Sequence, residues 1–411
     1  MWEYETENSS WWSAIKLQNT LQDSLQRILR NIKHLGRYYP IFLGLTAYWY
    51  DVKCLEYKRS WLSHLVMLLS NLTGTVLTNF ILAGYIELFG KVPYVNPVMK
   101  WVSYVSPISR SVLGAFTVGH ILLHDQAIVQ LKMLLLAAER KCLERLKYAC
   151  PALEKRFKYL YWLKTFLLLY MYLTTYVLGL YILPGNMGIM KFVLAFLYGN
   201  FLSQWSFVFF EYFELLWKLC SLLYQIEEGL SDVIRRVKLE NNEPQACSTM
   251  SWLLMRHSEL CGLLLKFEQN FKWQLFVSRL SNMASYSITT YFVFVFNKTI
   301  YDSMIFVGVA FLSYLLLTLD SFLIDYICDV TAQSFDDLEL ALKDFNGIYR
   351  EWKIFDQLCE EFSLHICHRK LYLKLAGALN LDRKSWFYMM SNLLMYSIVL
   401  IQTHLSTSLK R

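Results

Sequence analysis

Four charged residues lie within long apolar stretches of the chain, where an ionised side chain needs a chemical or structural reason. They are Arg110, Lys164, Arg279 and Asp320. Because a charge in apolar surroundings is costly, each is a candidate for contact with a ligand or an ion. The last three lie within about one to two turns of one end of their stretches, so we interpret them as anchors that snorkel to the polar boundary. Arg110 lies farther from that boundary and is the best candidate for a charge that faces a cavity.

Histidine and cysteine side chains, which are common metal ligands, also cluster near the end of the chain at His365, Cys367 and His368. No second pair of ligands follows at the spacing typical of zinc sites, so we expect no metal there. The chain also lacks a His-Glu-x-x-His pair, a Walker loop, a Gly-x-Ser-x-Gly turn and a glycine-rich nucleotide fingerprint. We therefore expect neither an enzyme nor a bound cofactor.

The elements that carry these residues are seven apolar segments. They span 61–88, 101–124, 160–184, 190–210, 273–297, 303–324 and 385–405. Each is near the ~20 residues that a helix needs to cross ~30 Å of hydrocarbon. With 55% apolar residues and 7 prolines in 411 residues, the composition argues against a soluble globule. The sequence predicts an all-α membrane protein with seven transmembrane helices.

Basic residues predict the orientation of these helices. Eight lie in 1–60, eight in 125–160, seven in 218–275 and eight in 329–385, whereas the short intervening connections hold few. The positive-inside rule places these polar stretches in the cytoplasm, with the N-terminus inside and the C-terminus outside. The net charge of +7 is then an orientation signal and does not indicate nucleic-acid binding.

The cysteines give the same orientation. All nine fall in the predicted cytoplasmic stretches or at their membrane borders, where thiols stay reduced. They are Cys54, Cys142, Cys150, Cys220, Cys247, Cys261, Cys328, Cys359 and Cys367. No cleavable signal peptide is evident, so we expect the first apolar helix to act as its own insertion signal. Among the glycosylation sequons, the one at Asn8 would be cytosolic and the one at Asn297 would lie outside, next to the membrane.

Two cytoplasmic stretches continue as amphipathic helices. In 218–240 apolar residues recur at helical spacing, and 334–362 repeats the pattern with Asp336, Asp337 and Glu339 expected early in the helix. A linker at 241–245 containing Pro244 is expected to break the first, and a second helix to run from Ser251 into the fifth span. The apolar faces need a partner, which is either the same chain or a second subunit.

The last apolar segment keeps many polar residues, and its core over 395–403 resembles the signature of the final helix of insect gustatory receptors. That signature is Thr-Tyr, five apolar residues, then Gln-Phe. Tyr396 and Gln402 match it, while Met395 and Thr403 stand in place of Thr and Phe. The segment 377–382 looks like the family's turn within its last helix, and 35–40 looks like its element before the first membrane helix.

The resemblance implies a ligand-gated, non-selective cation channel of four identical or related subunits in the plasma membrane of taste neurons. It implies a cytoplasmic segment over 1–60, six membrane helices with cytoplasmic extensions over 61–328, an anchor over 329–384 and a pore-lining helix with an extracellular tail over 385–411. At ~3.6 residues per turn, Ser391, Met395, Ile398, Gln402 and Ser406 share one helix face. The expected pore and gate residues are Ser391, Met395, Tyr396, Ile398, Gln402 and Thr403.

Ligand class and ligand pocket follow from the same resemblance. Sugar-sensing members typically have an acidic residue after the motif tyrosine, where this chain has Ser397, so we expect a bitter or other non-sugar tastant. Family pockets lie among the outer halves of the second to sixth helices, and an aromatic wall suits a weakly polar small molecule. In this chain the corresponding residues are Tyr104, Arg110, Tyr172, Tyr176, Asn200, Tyr291, Phe294 and Phe306.

Two other classes of membrane protein also have multiple spans. A G-protein-coupled receptor has seven helices but the opposite orientation, which the basic residues and the cysteines oppose. A transporter often shows repeated halves with broken helices, and no convincing internal repeat is present. An integral membrane enzyme is the least favoured, because no catalytic constellation is found.

Overall fold

Long α-helices dominate the computed structural model of the chain. It describes residues 38–51, 54, 56–90, 97–146, 151–183, 188–239, 242–295, 304–345, 352–368, 374–375 and 379–408. The elements in chain order are β1 (Tyr48–Asp51), β2 (Glu56–Arg59), α1 (Trp61–Gly90), α2 (Pro97–Arg145), α3 (Pro151–Ile182), α4 (Ile189–Leu239), α5 (Glu243–Val295), α6 (Met304–Phe345), α7 (Lys353–His368), β3 (Lys374–Leu375), β4 (Leu379–Asn380) and α8 (Arg383–Ser408). The chain divides into two compact units, 1–71 and 72–411.

Each of the seven predicted apolar spans lies in its own helix, in α1 to α6 and in α8. Several of these helices are far longer than a bilayer is thick: α4 has 51 residues and α5 has 53. Within the described residues, two segments are both long and apolar enough to cross a membrane, namely Ile108–Arg145 of α2 and Ile189–Lys238 of α4. The excess length of α4 and α5 includes the stretches 218–239 and 251–272, where the sequence predicted helices continuous with the fourth and fifth spans.

The first unit contains a small hairpin and the beginning of α1. Strands β1 and β2 pair antiparallel, with Tyr48 opposite Arg59 and Asp51 opposite Glu56. A turn precedes β1, and Gly44 adopts a φ of 76°, which favours glycine. Asn71 Nδ2 donates to the Gly44 carbonyl at 2.9 Å, and Ser63 Oγ donates to the Ala47 carbonyl at 2.6 Å. These two bonds fix the turn against the first part of α1.

The apolar stripe predicted in 218–240 is buried within the chain itself. Its buried members are Leu219, Leu222, Leu223, Ile226, Leu230, Val233 and Val237. Helix α4 packs against α3, α5 and α6, and α7 packs against α5 and α6. The face that α7 turns inward consists of Phe355, Cys359, Phe362 and Ile366. The sequence left open whether the same chain or a second subunit covers this stripe. In the structure it is the same chain that covers it.

The predicted boundaries of two helices are wrong. Helix α6 runs without a break to Phe345, so Asp336, Asp337 and Glu339 lie in its last part and not in a first turn. No glycine or proline occurs in 309–345, and nothing else in that range ends the helix.

Helix α5 likewise begins at Glu243, earlier than the predicted Ser251. Pro244 lies in its first turn, where a missing N–H is tolerated, and Asn242 Oδ1 accepts a bond from the Gln245 N–H at 3.4 Å. The helix over 218–240 does end before this linker, at Leu239, and Pro244 belongs to the start of the next helix.

Candidate functional site

Arg110, the candidate cavity charge, is held between three helices. Its guanidinium lies over the Trp205 ring of α4 at 5.0 Å and over the Tyr286 ring of α5 at 6.0 Å, measured to the ring centroids. Its Nη1 donates to Asn282 Oδ1 of α5 at 3.3 Å. Attraction to two ring faces and to an amide oxygen stabilises a cation that has no carboxylate among these contacts. Arg110 and Asn282 therefore place polar groups among the mainly apolar side chains of the helix bundle.

Two small cavities meet at Trp205. The first, on the Arg110 side, is lined by Thr78, Arg110, Gly114, Thr117, Phe201, Gln204 and Trp205. The second is lined by Trp205, Phe209, Leu275, Ser278, Arg279, Asn282, Tyr286, Leu317, Asp320, Ser321 and Ile324. Each cavity has a volume of about 10 Å³, which is room for about one water molecule. The Trp205 side chain lines both cavities, so its movement would change both of them.

Of the predicted pocket residues whose side chains are described, only Arg110 lines either cavity. Tyr104 packs edge-on against Trp101 at 6.1 Å and Tyr172 against Phe196 at 6.5 Å, which is ordinary helix packing. The remaining two described members, Tyr176 and Asn200, also lie on the interacting helices α3 and α4 without lining a cavity. The side chains of Tyr291, Phe294 and Phe306 lie outside the described residues.

Sequence reasoning missed the residues that surround Arg110, namely Trp205, Asn282 and Tyr286. A signal for them was present in the fifth span, where Ser278, Ser281, Asn282 and Ser285 form a polar seam along one helix. Ser281 Oγ donates to the Ser109 carbonyl at 3.1 Å, and Ser285 Oγ lies 3.2 Å from Ser109 Oγ. A polar seam beside a charged residue on another span predicts an interhelical contact.

The interpretation of Lys164 and Arg279 as snorkelling anchors is wrong. Lys164 is only 1% exposed, and its Nζ lies 2.6 Å from Asp320 Oδ1 across the interface between α3 and α6. Arg279 of α5 forms an ion pair with Asp325 of α6, a residue that the sequence did not single out. Each cation therefore has a carboxylate partner inside the bundle. A buried ion pair costs less free energy than a buried unpaired charge, so neither side chain has to reach the surface.

The beginning of the last helix is tied to the same region. Trp386 Nε1 donates to Ser321 Oγ of α6 at 3.0 Å, and the Trp386 ring meets the Phe322 ring edge-on at 5.0 Å. Arg279 Nη1 lies 3.6 Å from Met389 Sδ, and Arg383 forms an ion pair with Asp329. Because Arg279 and Ser321 also line the second cavity, that cavity and the base of α8 share side chains.

Most residues of α8 are exposed in this single chain, including apolar ones such as Leu394 and Val399. Leu393 and Ser397 are buried, and Ser397 Oγ lies 3.5 Å from the Ser287 carbonyl of α5. The predicted pore and gate residues all lie on exposed surface of the helix within this single chain: Ser391, Met395, Tyr396, Ile398, Gln402 and Thr403. A polar amide such as Gln402 is unfavourable against lipid, so this surface needs water or protein beside it.

The histidine and cysteine cluster of the sequence does not stay together in space. Cys367 and His368 are exposed, whereas His365 lies beside His257 and Cys261 of α5. The sequence near His365 contains no second pair of potential metal ligands, but His257 and Cys261 of α5 lie beside it in space.

No disulfide joins any of the eight cysteines that the structure describes, and Cys150 lies outside those residues. Burial raises the pKa of Cys359 to about 12, so this thiol stays protonated at neutral pH.

The seven span-bearing helices and their long extensions are those of an all-α membrane protein. The family of 7tm chemosensory receptors matches residues 34–407, and the chain belongs to that family. Gustatory receptor 22b of Drosophila melanogaster is 24% identical over 181 residues, which is 44% of this chain and 46% of that relative. The match therefore spans about half the length of the curated relative.

Solved structures of an insect olfactory receptor share the fold. The olfactory receptor OR5 from Machilis hrabei superposes with a TM-score of 0.65 at 10% identity, covering 91% of this chain and 99% of that one. The same receptor in complex with eugenol gives a TM-score of 0.66 over the same shares. These similarities confirm the predicted all-α, seven-helix fold class and the resemblance to insect gustatory receptors.

Proposed function

We propose that this chain is a gustatory receptor that acts as a ligand-gated, non-selective cation channel in the plasma membrane of sensory neurons. The observation that carries the proposal is the exposed surface of α8, where Gln402 and its neighbours are left uncovered by their own chain. Four chains around a common axis would turn this surface towards a water-filled pore. Membership of the chemosensory receptor family supports a receptor over a transporter or an enzyme.

In such an assembly Gln402 forms a ring of four neutral amides near the outer mouth. Amide oxygens and N–H groups replace part of an ion's hydration shell, and a neutral ring discriminates weakly among cations. Ile398 and Met395 lie on the same face, about one and two turns deeper respectively, and form an apolar constriction that excludes water when narrow. The subunits are identical or related receptor chains.

The ligand that we propose is a small, weakly polar, non-sugar molecule bound near Arg110. The rings of Trp205 and Tyr286 offer aromatic faces, and Arg110 with Asn282 offers polar anchors. Each cavity is smaller than such a ligand, so binding has to widen at least one of them, and we propose that Trp205, which lines both, is the side chain that moves. A ligand that binds the opened arrangement more tightly shifts the equilibrium towards it. Eugenol, which the solved Machilis receptor binds, is a suitable first probe.

Opening at Trp205 would reach α8 through shared side chains. Tyr286 and Asn282 contact Arg110 and also line the second cavity, whose lining includes Arg279 and Ser321 as well. Those two residues contact Met389 and Trp386 of α8. We propose this chain of contacts as the route from ligand to pore.

We expect an epitope tag at Met1 to be reached by antibody only after the membrane is permeabilised, because the basic stretches hold the N-terminus inside. A tag after Arg411 should be labelled on intact cells. The measurement is immunofluorescence with and without detergent. Labelling of the N-terminal tag on intact cells would contradict the channel topology and revive a G-protein-coupled receptor.

Substitution of Gln402 tests the pore directly. Gln402→Glu should raise the permeability of divalent relative to monovalent cations several-fold, because one substitution places about four carboxylates around one ion. Thr403→Phe, which restores the family residue, should lower basal current by narrowing the gate. The measurement is whole-cell current and reversal potential during exposure to eugenol and other bitter compounds, with related subunits co-expressed.

The matched control is Gln357→Glu, the same chemical change at an exposed position of α7. It should leave permeation unchanged. Ligand-evoked currents with identical ion selectivity in wild type and Gln402→Glu, at equal surface expression, would remove Gln402 from the ion path. Responses that disappear only when G-protein signalling is blocked would overturn the channel itself.

A further inference from the structure

Three potential metal ligands converge between α5 and α7, in the predicted cytoplasmic part of the chain. His257 and Cys261 are four residues apart on α5 and therefore lie on one helix face, and His365 approaches from α7. Cys261 Sγ lies 3.7 Å from His257 Nδ1, and the rings of His257 and His365 meet edge-on with centroids 5.3 Å apart. The donor atoms of the three side chains all lie within 4.8 Å of one another.

The surroundings of this cluster are those of an enclosed site. His257 and Cys261 are fully buried, and the rings of Phe335 and Phe362 lie 5.3 Å and 5.4 Å from the His257 ring. An apolar shell limits the access of water and strengthens the interaction of an ion with its ligands. His365 is half-buried, so an ion can arrive from the side of α7 that faces solvent.

Two imidazoles and a thiolate form a donor set that zinc prefers, and catalytic or regulatory zinc sites often combine three protein ligands with one water molecule. Zinc binds nitrogen at ~2.0–2.1 Å and sulfur at ~2.3 Å, which requires its ligands to lie about 3.3–3.7 Å apart. The separation between Cys261 and His257 is already close to that value. The third ligand has to close by no more than about 1.5 Å, which side-chain rotations supply.

We propose that His257, Cys261 and His365 bind one zinc(II) ion that links α7 to α5. On binding, the Cys261 thiol gives its proton to solvent, the sulfur and two imidazole nitrogens each donate an electron pair, and water fills the fourth position. The ion would hold α7, the helix that precedes β3, β4 and α8 in the chain, against the cytoplasmic part of α5. The proposal rests on these three side chains alone and does not depend on channel activity.

Purified, detergent-solubilised full-length receptor provides the test. Wild type incubated with zinc chloride and then desalted should retain about one zinc per chain by elemental analysis. Loss of an outer-shell partner weakens metal binding about 10- to 100-fold, so loss of a direct ligand in Cys261→Ser or His365→Gln should weaken it at least ~100-fold. Cobalt(II) in place of zinc should give a thiolate charge-transfer band in wild type that Cys261→Ser lacks.

The controls are Cys367→Ser and His368→Ala, which change neighbouring exposed ligands on the same helix and should retain zinc as wild type does. Size-exclusion chromatography identifies variants that remain monodisperse, and only those are compared. Equal zinc retention in wild type and in both site variants would overturn the site. So would wild type that retains no zinc, or a cobalt spectrum without the thiolate band. Copper in place of zinc after exposure to both metals would overturn the choice of ion.

Discussion

Lys164→Met is expected to remove most folded receptor from the cell surface. The substitution leaves Asp320 as an uncompensated charge in the interface between α3 and α6, where Lys164 Nζ now lies 2.6 Å from its carboxylate. Loss of one partner from a buried ion pair costs about 3–5 kcal/mol, a large share of the stability of an ordinary domain. Surface biotinylation and the midpoint of thermal unfolding in detergent measure the effect.

Two controls separate pairing from the loss of a long side chain. Lys218 and Glu214 form an ion pair four residues apart on α4, with side chains 39% and 38% exposed, so Lys218→Met should cost at most about 0.5 kcal/mol. The double variant Lys164→Met with Asp320→Leu removes both charges and should recover most of the lost stability. If the double variant is as unstable as Lys164→Met alone, packing and not charge explains the defect.

The ion pairs show why the sequence predicted elements better than sites. The apolar spans and the stripe in 218–240 depend on residues a few positions apart, and local periodicity specifies them. Lys164 and Asp320 are 156 positions apart, and no local pattern says which helices become neighbours. Without that knowledge, snorkelling to the nearest boundary was the simplest expectation for a charge near the end of a span.

The candidate ligand site was predicted in part for the same reason. Arg110 was singled out because its type and its depth in the span are local properties, and it lines one of the two cavities. Its partners Trp205, Asn282 and Tyr286 come from two other helices, and their contact with Arg110 depends on how α2, α4 and α5 pack. The aromatic residues selected by depth alone, such as Tyr104 and Tyr172, instead pack against neighbouring rings.

The zinc ligands illustrate a further limit. The search for metal ligands around 365–368 relied on spacing and therefore considered only residues close in sequence. Burial of Phe362 and Ile366 instead turns only His365 towards α5. The pair His257 and Cys261 has the four-residue spacing of helical metal ligands, yet two residues alone are a weak signal. A pair on one helix becomes informative only when the helix that faces it is known.

Substitution of Trp386 is expected to alter gating strongly without loss of the receptor from the membrane. Trp386 joins α8 to α6 through a 3.0 Å hydrogen bond to Ser321 Oγ and an edge-on contact with Phe322 at 5.0 Å. A hydrogen bond contributes about 0.5–1.5 kcal/mol, and an aromatic pair contributes a similar amount. Trp386→Ala should therefore change the gating equilibrium by about 1–3 kcal/mol, or ~5- to 150-fold. The change is read as a shift in basal current or in half-maximal ligand concentration.

A cycle of smaller substitutions identifies the hydrogen bond as the source of the effect. Trp386→Phe keeps a ring against Phe322 but removes the N–H donor, and Ser321→Ala removes the acceptor. If the bond couples the two helices, each single variant should shift gating in the same direction and the double variant should add little more. Tyr388→Ala, at a position 71% exposed on the same helix, should leave gating unchanged. Additive shifts in the double variant, or an equal shift in Tyr388→Ala, would mean that α8 is not coupled to α6 through this bond.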